Sequence, residues 1–369
     1  MGKAVGYRRA QEDRANMKIR ELEKELPPLA TDFLRSLGSS CSFLTIRGYA
    51  FDLRIFFRYL VAEQPDFGDL KTYEFTREDL ERITLRHLEM YNEYLKVYVD
   101  PRYAEQAGPE ETPKMLRNAE IGQARKLTAV RSFFRYLYTH ELIPENVTEK
   151  IRMPKIHEKP VIYLEKDEIS RMLDAVNSGE GFSHRQQAHL EHTRARDLAI
   201  IMLMLGTGIR ESELVGLDLD DLDLEKNAFM VTRKGGDQSI LYFNGAVKDA
   251  LEDWLSRRAE MEIRPGHEEA LFLSSQRKRI SVRAVQELVK KYASVSVTFN
   301  RKKISPHKLR ASYATNLYRN TGNIYQVSKS LGHKNVSTTK KYVQEAESSR
   351  ELADSVDWLQ TRRGGTPAE

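Results

Sequence analysis

Between Ile143 and Pro160 the sequence carries Pro144, Pro154 and Pro160 and sustains no apolar stripe. Proline fixes φ and removes a backbone donor, so such a stretch cannot run through a shared core as helix or central strand. The chain must close one core before it and another after it. With 369 residues, at roughly 150 per domain, there is material for two or three domains. The organisation this predicts is a charged N-terminal arm, helical or loose (1–29), a helical unit (30–150), a linker (151–160), a second unit (161–345) and a C-terminal helix with its tail (346–369).

Before the linker the apolar period is helical. Tyr49, Leu53, Phe56 and Leu60 recur at i, i+4, i+7 and i+11, and Phe57 widens the stripe. Thr76 with Asp79 three residues on is a helix start, and Thr84 caps a helix whose face is Leu85, Leu88, Tyr91 and Leu95. A further helix runs from about Gln123 to Thr139 on Leu127, Val130, Phe134 and Leu137. The stretch 100–122, with Pro101, Gly108, Pro109 and Pro113, reads as an irregular insertion.

After the linker, Leu164 to Glu168 opens a helix on Ile169, Leu173 and Val176, and 177–193 reads as a polar loop containing Gly179 and Gly181. An apolar helix follows from about Arg196 to Leu205. The runs from Ala228 and from Ile240 are strand-like and flank Lys234-Gly235-Gly236-Asp237, a hairpin by its turn residues. The fold class is therefore mainly α: a helical N-terminal domain, then a mixed α/β domain of helices with a small antiparallel sheet.

Composition excludes several classes. The one cysteine, Cys41, removes a disulfide framework and any cysteine-built zinc site. No apolar run reaches the roughly 18–20 residues a membrane span needs. The N-terminus is charged where a secretory signal is greasy, so a cytoplasmic protein with no membrane partner is expected. The formal charge of +5 permits nucleic acid as a partner without requiring it. Asp218, Asp220, Asp221 and Asp223 alternate with leucines and read as a solvated loop and strand edge, with no metal site expected.

Four constellations can carry chemistry. In Gly206-Thr-Gly208-Ile-Arg210-Glu-Ser-Glu213, glycines end a buried helix and Arg210 emerges at the junction. It is either a cap for helix carbonyls or a bidentate anion binder. Ser305-Pro306-His307-Lys308-Leu309-Arg310 is a helix start, with Ser305 as N-cap and Pro306 at N1. His307 and Arg310 share a face in its first turn, where free N–H groups favour a phosphate. In Leu331-Gly332-His333 the glycine ends a helix, and Tyr342 follows nine residues past the histidine on the next one. Lys234 sits at the hairpin tip, the usual place for solvated decoration.

In this order and at this spacing, Arg210, Lys234, His307-x-x-Arg310, Leu331-Gly332-His333 and Tyr342 resemble the active-site signature of the tyrosine recombinase (phage integrase) family, nearest to its Xer-type members. The resemblance covers about Ala30 to Val343. It implies a core-binding domain (SAM-like) and a catalytic domain that close as a clamp on DNA, and a site-specific recombinase that cuts and rejoins strands through a 3′-phosphotyrosyl link at Tyr342 without ATP, metal or other cofactor. His307 is the implied base, Lys234 the proton donor to the leaving 5′-oxygen, and His333 a holder of phosphate oxygen or nucleophile. Glu213 matches an acidic supporting position. Chemistry asks for the same set. Two guanidiniums can hold the oxygens of a phosphorane-like state, and a tyrosine of pKa about 10 must lose its proton as it attacks.

Basic stripes support DNA as the partner. Arg47, Arg54 and Arg58 flank the Tyr49/Leu53 face, and Arg125, Lys126, Arg131 and Arg135 lie on the later helix, placed for backbone phosphates. The resemblance implies a tetramer on two recombination sites, built from this chain alone or with a paralogous recombinase, acting in chromosome partition or in mobile-element integration. The arm, 100–122 and 177–193 are extra relative to a compact Xer-type protein. Leu352, Val356 and Leu359 in the C-terminal segment would form one apolar helix face. A type IB topoisomerase-like activity and a non-enzymatic DNA-binding protein are the alternatives. The first would relax supercoils without exchange, and the second would lack a catalytic residue, whereas none is missing.

Overall fold

The structure, a computed structural model, describes residues 6–99, 115–157, 160–233, 236–297, 303–333, 335–340 and 342. Lys234, most of the expected insertion and the expected C-terminal helix with Leu352, Val356 and Leu359 lie outside the described residues. The chain divides into two compact units, 1–158 and 159–369.

In the first unit, α1 (Tyr7–Glu23), α2 (Pro28–Ser36), α3 (Phe43–Glu63), α4 (Arg77–Glu81), α5 (Leu85–Tyr94) and α6 (Glu120–Thr139) surround one core. Ser42 caps α3 by accepting the Thr45 N–H, and Thr76 and Asp79 form a reciprocal capping box at α4. The expected stripe is the centre of this core: Leu53, Phe56, Phe57 and Leu60 are fully buried. The Phe56 ring lies 5.0 Å from Tyr91 and 5.6 Å from Phe57, both edge-on.

Two expectations change here. The N-terminal arm is the helix α1, which packs on α3 and places Leu22, with Leu26 just past its end, in the core. Its dense charge hid a narrow apolar edge of Ala15, Ile19 and Leu22. The described part of the stretch expected as an irregular insertion (100–122) is regular in two places: β2 (Met115–Arg117) is antiparallel to β1 (Val97–Val99), with Tyr98 opposite Leu116, and α6 starts at Glu120. The prolines that suggested irregularity, Pro101, Pro109 and Pro113, lie outside the described residues.

In the second unit, α7 (Lys166–Ser178) and α8 (His184–Thr207) pack side by side. The polar stretch expected as a loop is largely the start of α8. Ser183 and Gln186 form a capping box, and Leu190 and Thr193 turn inward, so the helix begins twelve residues before Arg196. Then come α9 (Glu211–Gly216) and a three-stranded antiparallel sheet of β3 (Leu222–Asp223), β4 (Ala228–Thr232) and β5 (Gln238–Tyr242), in that order. Val231 pairs with Ser239 and Thr232 with Gln238, so the ladder runs to the last described pair before the connection of the two strands. Asp218 is held by Arg279, and its N–H donates to Asp221 at 2.9 Å. The helices α10 (Gly245–Ala259), α11 (Val282–Ser296), α12 (Pro306–Thr321) and α13 (Ile324–Leu331) complete the unit. Helices α10 and α12 both pack on α8, which is buried along Ile200, Ile201, Leu203 and Met204. No helix among the described residues is long and apolar enough to cross a membrane.

Truncating Phe56 to alanine removes ring contacts and leaves a void, a loss of roughly 3–5 kcal/mol. A urea titration of the full chain measures it. A loss below about 1 kcal/mol would mean that the site collapses around the void or that Phe56 is not central to packing.

Candidate active site

The junction after α8 builds the first corner of the site. The Thr207 hydroxyl turns back onto the Leu203 carbonyl at 2.6 Å, and Gly208 ends the helix in the left-handed region at φ 63°. A Cβ at Gly208 would run into the Tyr313 ring, so both the backbone angle and the space select glycine. Two residues later Arg210 is the N-cap of α9. Glu213 accepts its N–H at 3.1 Å and its guanidinium Nη1 at 2.7 Å. The Glu213 side chain is 4% exposed and that of Arg210 32%, so one edge of the guanidinium faces solvent while the other is held.

The second corner is the start of α12, with Ser305 as N-cap and Pro306 in the first turn. His307 is exposed in that turn. Arg310 points inward and is buried. Its Nη1 donates to the Gly208 carbonyl and its Nη2 to the Leu331 carbonyl at 2.6 Å, and Nη2 lies 3.4 Å from His333 Nε2. Burial, followed by the neighbouring Arg210 charge, lowers its pKa to about 10, which leaves it a cation at neutral pH.

The third corner is the end of α13. Gly332 terminates the helix at φ 60°, and the His333 N–H donates to the Ser328 carbonyl at 3.0 Å. His333 Nδ1 lies 2.9 Å from Thr339 Oγ1. The His333 ring stacks on Tyr342 with centroids 6.4 Å apart. Tyr342 is buried against Ala311, Ala314, Val327 and Leu331. Burial raises its pKa above the usual tyrosine value against the opposing pull of Arg310 and Arg210, so the hydroxyl keeps its proton at neutral pH.

The structure therefore brings Arg210, Glu213, Arg310, His333 and Tyr342 together, with His307 in the turn that carries Arg310. One further residue joins them. Arg233 is buried, lies 3.2 Å from Glu213 Oε2 and donates to the Ser330 carbonyl at 3.3 Å. Its sequence signal was the period-two alternation of β4, which puts it on the same side as Phe229 and Val231.

The expected basic stripes divide. Arg54 and Arg58 both grip Glu25, at 3.0 and 2.7 Å, and Arg54 lies over the Phe51 ring. Arg125 makes a forked pair with the buried Asp52, one arm at 2.7 Å, and Lys126 donates to Asn118 at 2.9 Å. These four already serve the fold of the first unit. A helical period locates a stripe but not the acids that other segments bring to it. Arg47, Arg131 and Arg135 have no ion-pair partner among the described residues, and Arg135 is exposed.

Residues 163–349 match the phage integrase family. The chain belongs to this family. The tyrosine recombinase XerC of Caldanaerobacter subterraneus subsp. tengcongensis is 34% identical over 327 residues, covering 86% of this chain and 82% of that protein. Among solved structures, the XerH site-specific recombinase bound to palindromic difH substrate, in a post-cleavage complex, superimposes with a TM-score of 0.59 at 18% identity over 94% of this chain and 95% of that one. The Tn1549 transposon integrase in complex with a circular intermediate DNA gives 0.59 at 19% identity, covering 85% and 93%. These two likenesses establish the fold. Within the family the chain is a Xer-like tyrosine recombinase.

Gly208 and Gly322 have almost the same backbone, φ 63° and 61°, but a Cβ at Gly322 meets nothing within 4 Å. Gly322→Ala is expected to cost roughly 1–2 kcal/mol, the left-handed penalty alone. Gly208→Ala adds an overpacking cost of about 1–3 kcal/mol and displaces the carbonyl that holds Arg310. Thermal unfolding of the two variants compares them. Equal losses would show that the Tyr313 contact is soft.

Proposed function

We propose that this site-specific recombinase breaks and rejoins duplex DNA through Tyr342, with Arg210 and Arg310 as the cations that receive the scissile phosphate. The observation that carries the reading is a tyrosine stacked on His333 beside one guanidinium fixed by two carbonyls and a second half open to solvent. The tyrosyl oxygen attacks phosphorus and the P–O5′ bond breaks. The tyrosyl proton passes to His307, and the departing 5′-oxygen takes a proton from Lys234, in the role the family signature gives it. Charge gathering on the non-bridging oxygens meets preformed N–H donors. Glu213 orients the arginines. The 3′-phosphotyrosyl bond conserves the energy of the phosphodiester, so attack by another 5′-hydroxyl reseals the strand without a nucleotide cofactor.

DNA is the proposed partner because XerH and the Tn1549 integrase are described as DNA complexes, and because Arg47, Arg131 and Arg135 leave cationic side chains uncommitted on the first unit. Strand exchange needs two sites, and the proposed assembly is four protomers on them, copies of this chain or of this chain and a paralogue, working in the cytoplasm. Purifying the full chain under denaturing conditions and sequencing the DNA that stays covalently attached tests target and polarity together.

Tyr342→Phe should abolish the covalent adduct while site binding in a gel shift stays near that of the parent. DNA attached to Tyr313 or Tyr318 instead would overturn the assignment. Cleavage should persist in EDTA, and a strict need for Mg²⁺ would count against cationic side chains as the sole stabilisers. Arg210→Ala should lower cleavage by roughly 10²–10³-fold, the cost of one preformed oxyanion donor, and should also lower the melting temperature, because the buried Glu213 carboxylate loses one of its two guanidinium partners. Arg310→Ala should lower cleavage as much and also lower the melting temperature, because the Gly208 and Leu331 carbonyls lose their buried donor. If Arg310→Ala melts like the parent, Arg310 has no structural duty.

A further inference from the structure

The residue before Lys234 has no part in the reaction just described, yet it is one of the most enclosed cations in the second unit. Arg233 is 7% exposed. Its main chain is fixed on both sides: the Arg233 N–H donates to the Asp237 carbonyl at 2.7 Å, and the Gly236 N–H donates to the Arg233 carbonyl at 3.1 Å. Its guanidinium reaches out of the hairpin to two other segments, the first turn of α9 at Glu213 and the end of α13 at Ser330. A Cβ on Gly332 would stand 2.9 Å from both Cζ and Nε of Arg233, so the guanidinium occupies the space that a side chain at 332 would take. Its Nε is buried without a hydrogen-bond partner among the described residues. A buried donor left unmade costs stability, and a fold keeps such a group where its placement serves something else.

We infer that Arg233 is a positioning residue of the recombinase site, holding the Arg210–Glu213 pair in register with the Gly332–His333 turn. The inference rests on the recombinase reading. Glu213 is shared: Oε1 takes Arg210 Nη1, while Oε2 takes the Arg210 N–H and Arg233 Nη1. Arg210, Arg233 and Arg310 together carry more positive charge than the single carboxylate of Glu213 offsets. The carboxylate is thus engaged by two guanidiniums and neutralises Arg210 only in part, which keeps Arg210 available to an entering phosphodiester. A lysine could supply the charge but not the fork, since one ammonium cannot span Glu213 and the Ser330 carbonyl in the same way. The close approach also gives Gly332 a second reason to be glycine, beyond its φ of 60°.

The test uses the full chain and a nicked duplex carrying the site recovered covalently with the parent protein, so that cleavage is trapped. Two quantities are read: the first-order trapping rate at saturating DNA, and half-saturation in a gel shift. Arg233→Met should lower the rate by roughly 10²-fold, the scale of a misplacement of about 1 Å, with half-saturation within about twofold of the parent. Arg233→Lys should restore part of the rate. Gly332→Ala should reproduce the defect by displacing the guanidinium, and it keeps the question answerable if Arg233→Met does not fold. Combining Gly332→Ala with Arg233→Met should lower the rate by clearly less than the two single losses multiplied, because both act on one guanidinium and only the left-handed strain at 332 is left to add. Parent-like trapping by Arg233→Met or by Gly332→Ala, or additive losses in the double variant, overturns the inference. The Tyr342→Phe control separates the two levels. If it still traps DNA, the recombinase reading fails and takes the inference with it. If it does not, while Arg233→Met traps like the parent, only the inference fails.

Discussion

The carboxylate of Glu213 is the interaction on which the site depends. A carboxylate with a side-chain exposure of 4% has given up most of its water and needs hydrogen-bonding partners in its place, and two guanidiniums supply them from different directions. One comes from its own helix turn, the other from the sheet. The same group thereby ties α9, the β4–β5 connection and, through Arg233, the end of α13 into one rigid arrangement. Because it meets more positive charge than it carries, the cluster keeps an excess that suits an anionic substrate.

Arg310 is held by a second device of the same kind but without a carboxylate. Helices α8 and α13 each end in a left-handed glycine, and the carbonyls Gly208 O and Leu331 O at those ends turn towards Arg310. Helix C-termini carry partial negative charge, so they accept a cation without neutralising it. The guanidinium is desolvated yet still charged at neutral pH. Preformed donors in a site of low dielectric are worth more to a developing oxyanion than the same donors in water, because they need no reorganisation.

Tyr342 is placed by packing. Its ring closes a small apolar cluster of α12 and α13 and stacks on His333, whose other ring nitrogen reaches Thr339. Burial favours the protonated form of the hydroxyl, which is why the proposed attack calls for a base. The proposed nucleophile and the cations proposed to receive the phosphate thus sit on the same few elements of the second unit, so small shifts of the Gly332 turn bear on all of them at once.

Much of this was legible in the sequence. The apolar period of Tyr49 to Leu60 fixed α3, the glycines at 208 and 332 marked helix ends, the turn residues at 235 and 236 marked a hairpin, and the spacing of Arg210, Arg310, His333 and Tyr342 named the family signature. These are local facts, set by side-chain period and backbone preference, and a single chain displays them openly. The sequence misjudged segments where polar character concealed structure. The start of α8 read as a loop because its buried positions are few, and α1 read as an arm because its apolar edge is narrow. Tertiary structure alone decided which charges face one another. Nothing local ties Glu25 to Arg54 and Arg58, Asp52 to Arg125, or Arg233 to Glu213 and the Gly332 turn, since each pair joins segments 20 to 97 residues apart. Electrostatic partners are chosen by distance in space, and that distance exists only once the core has closed.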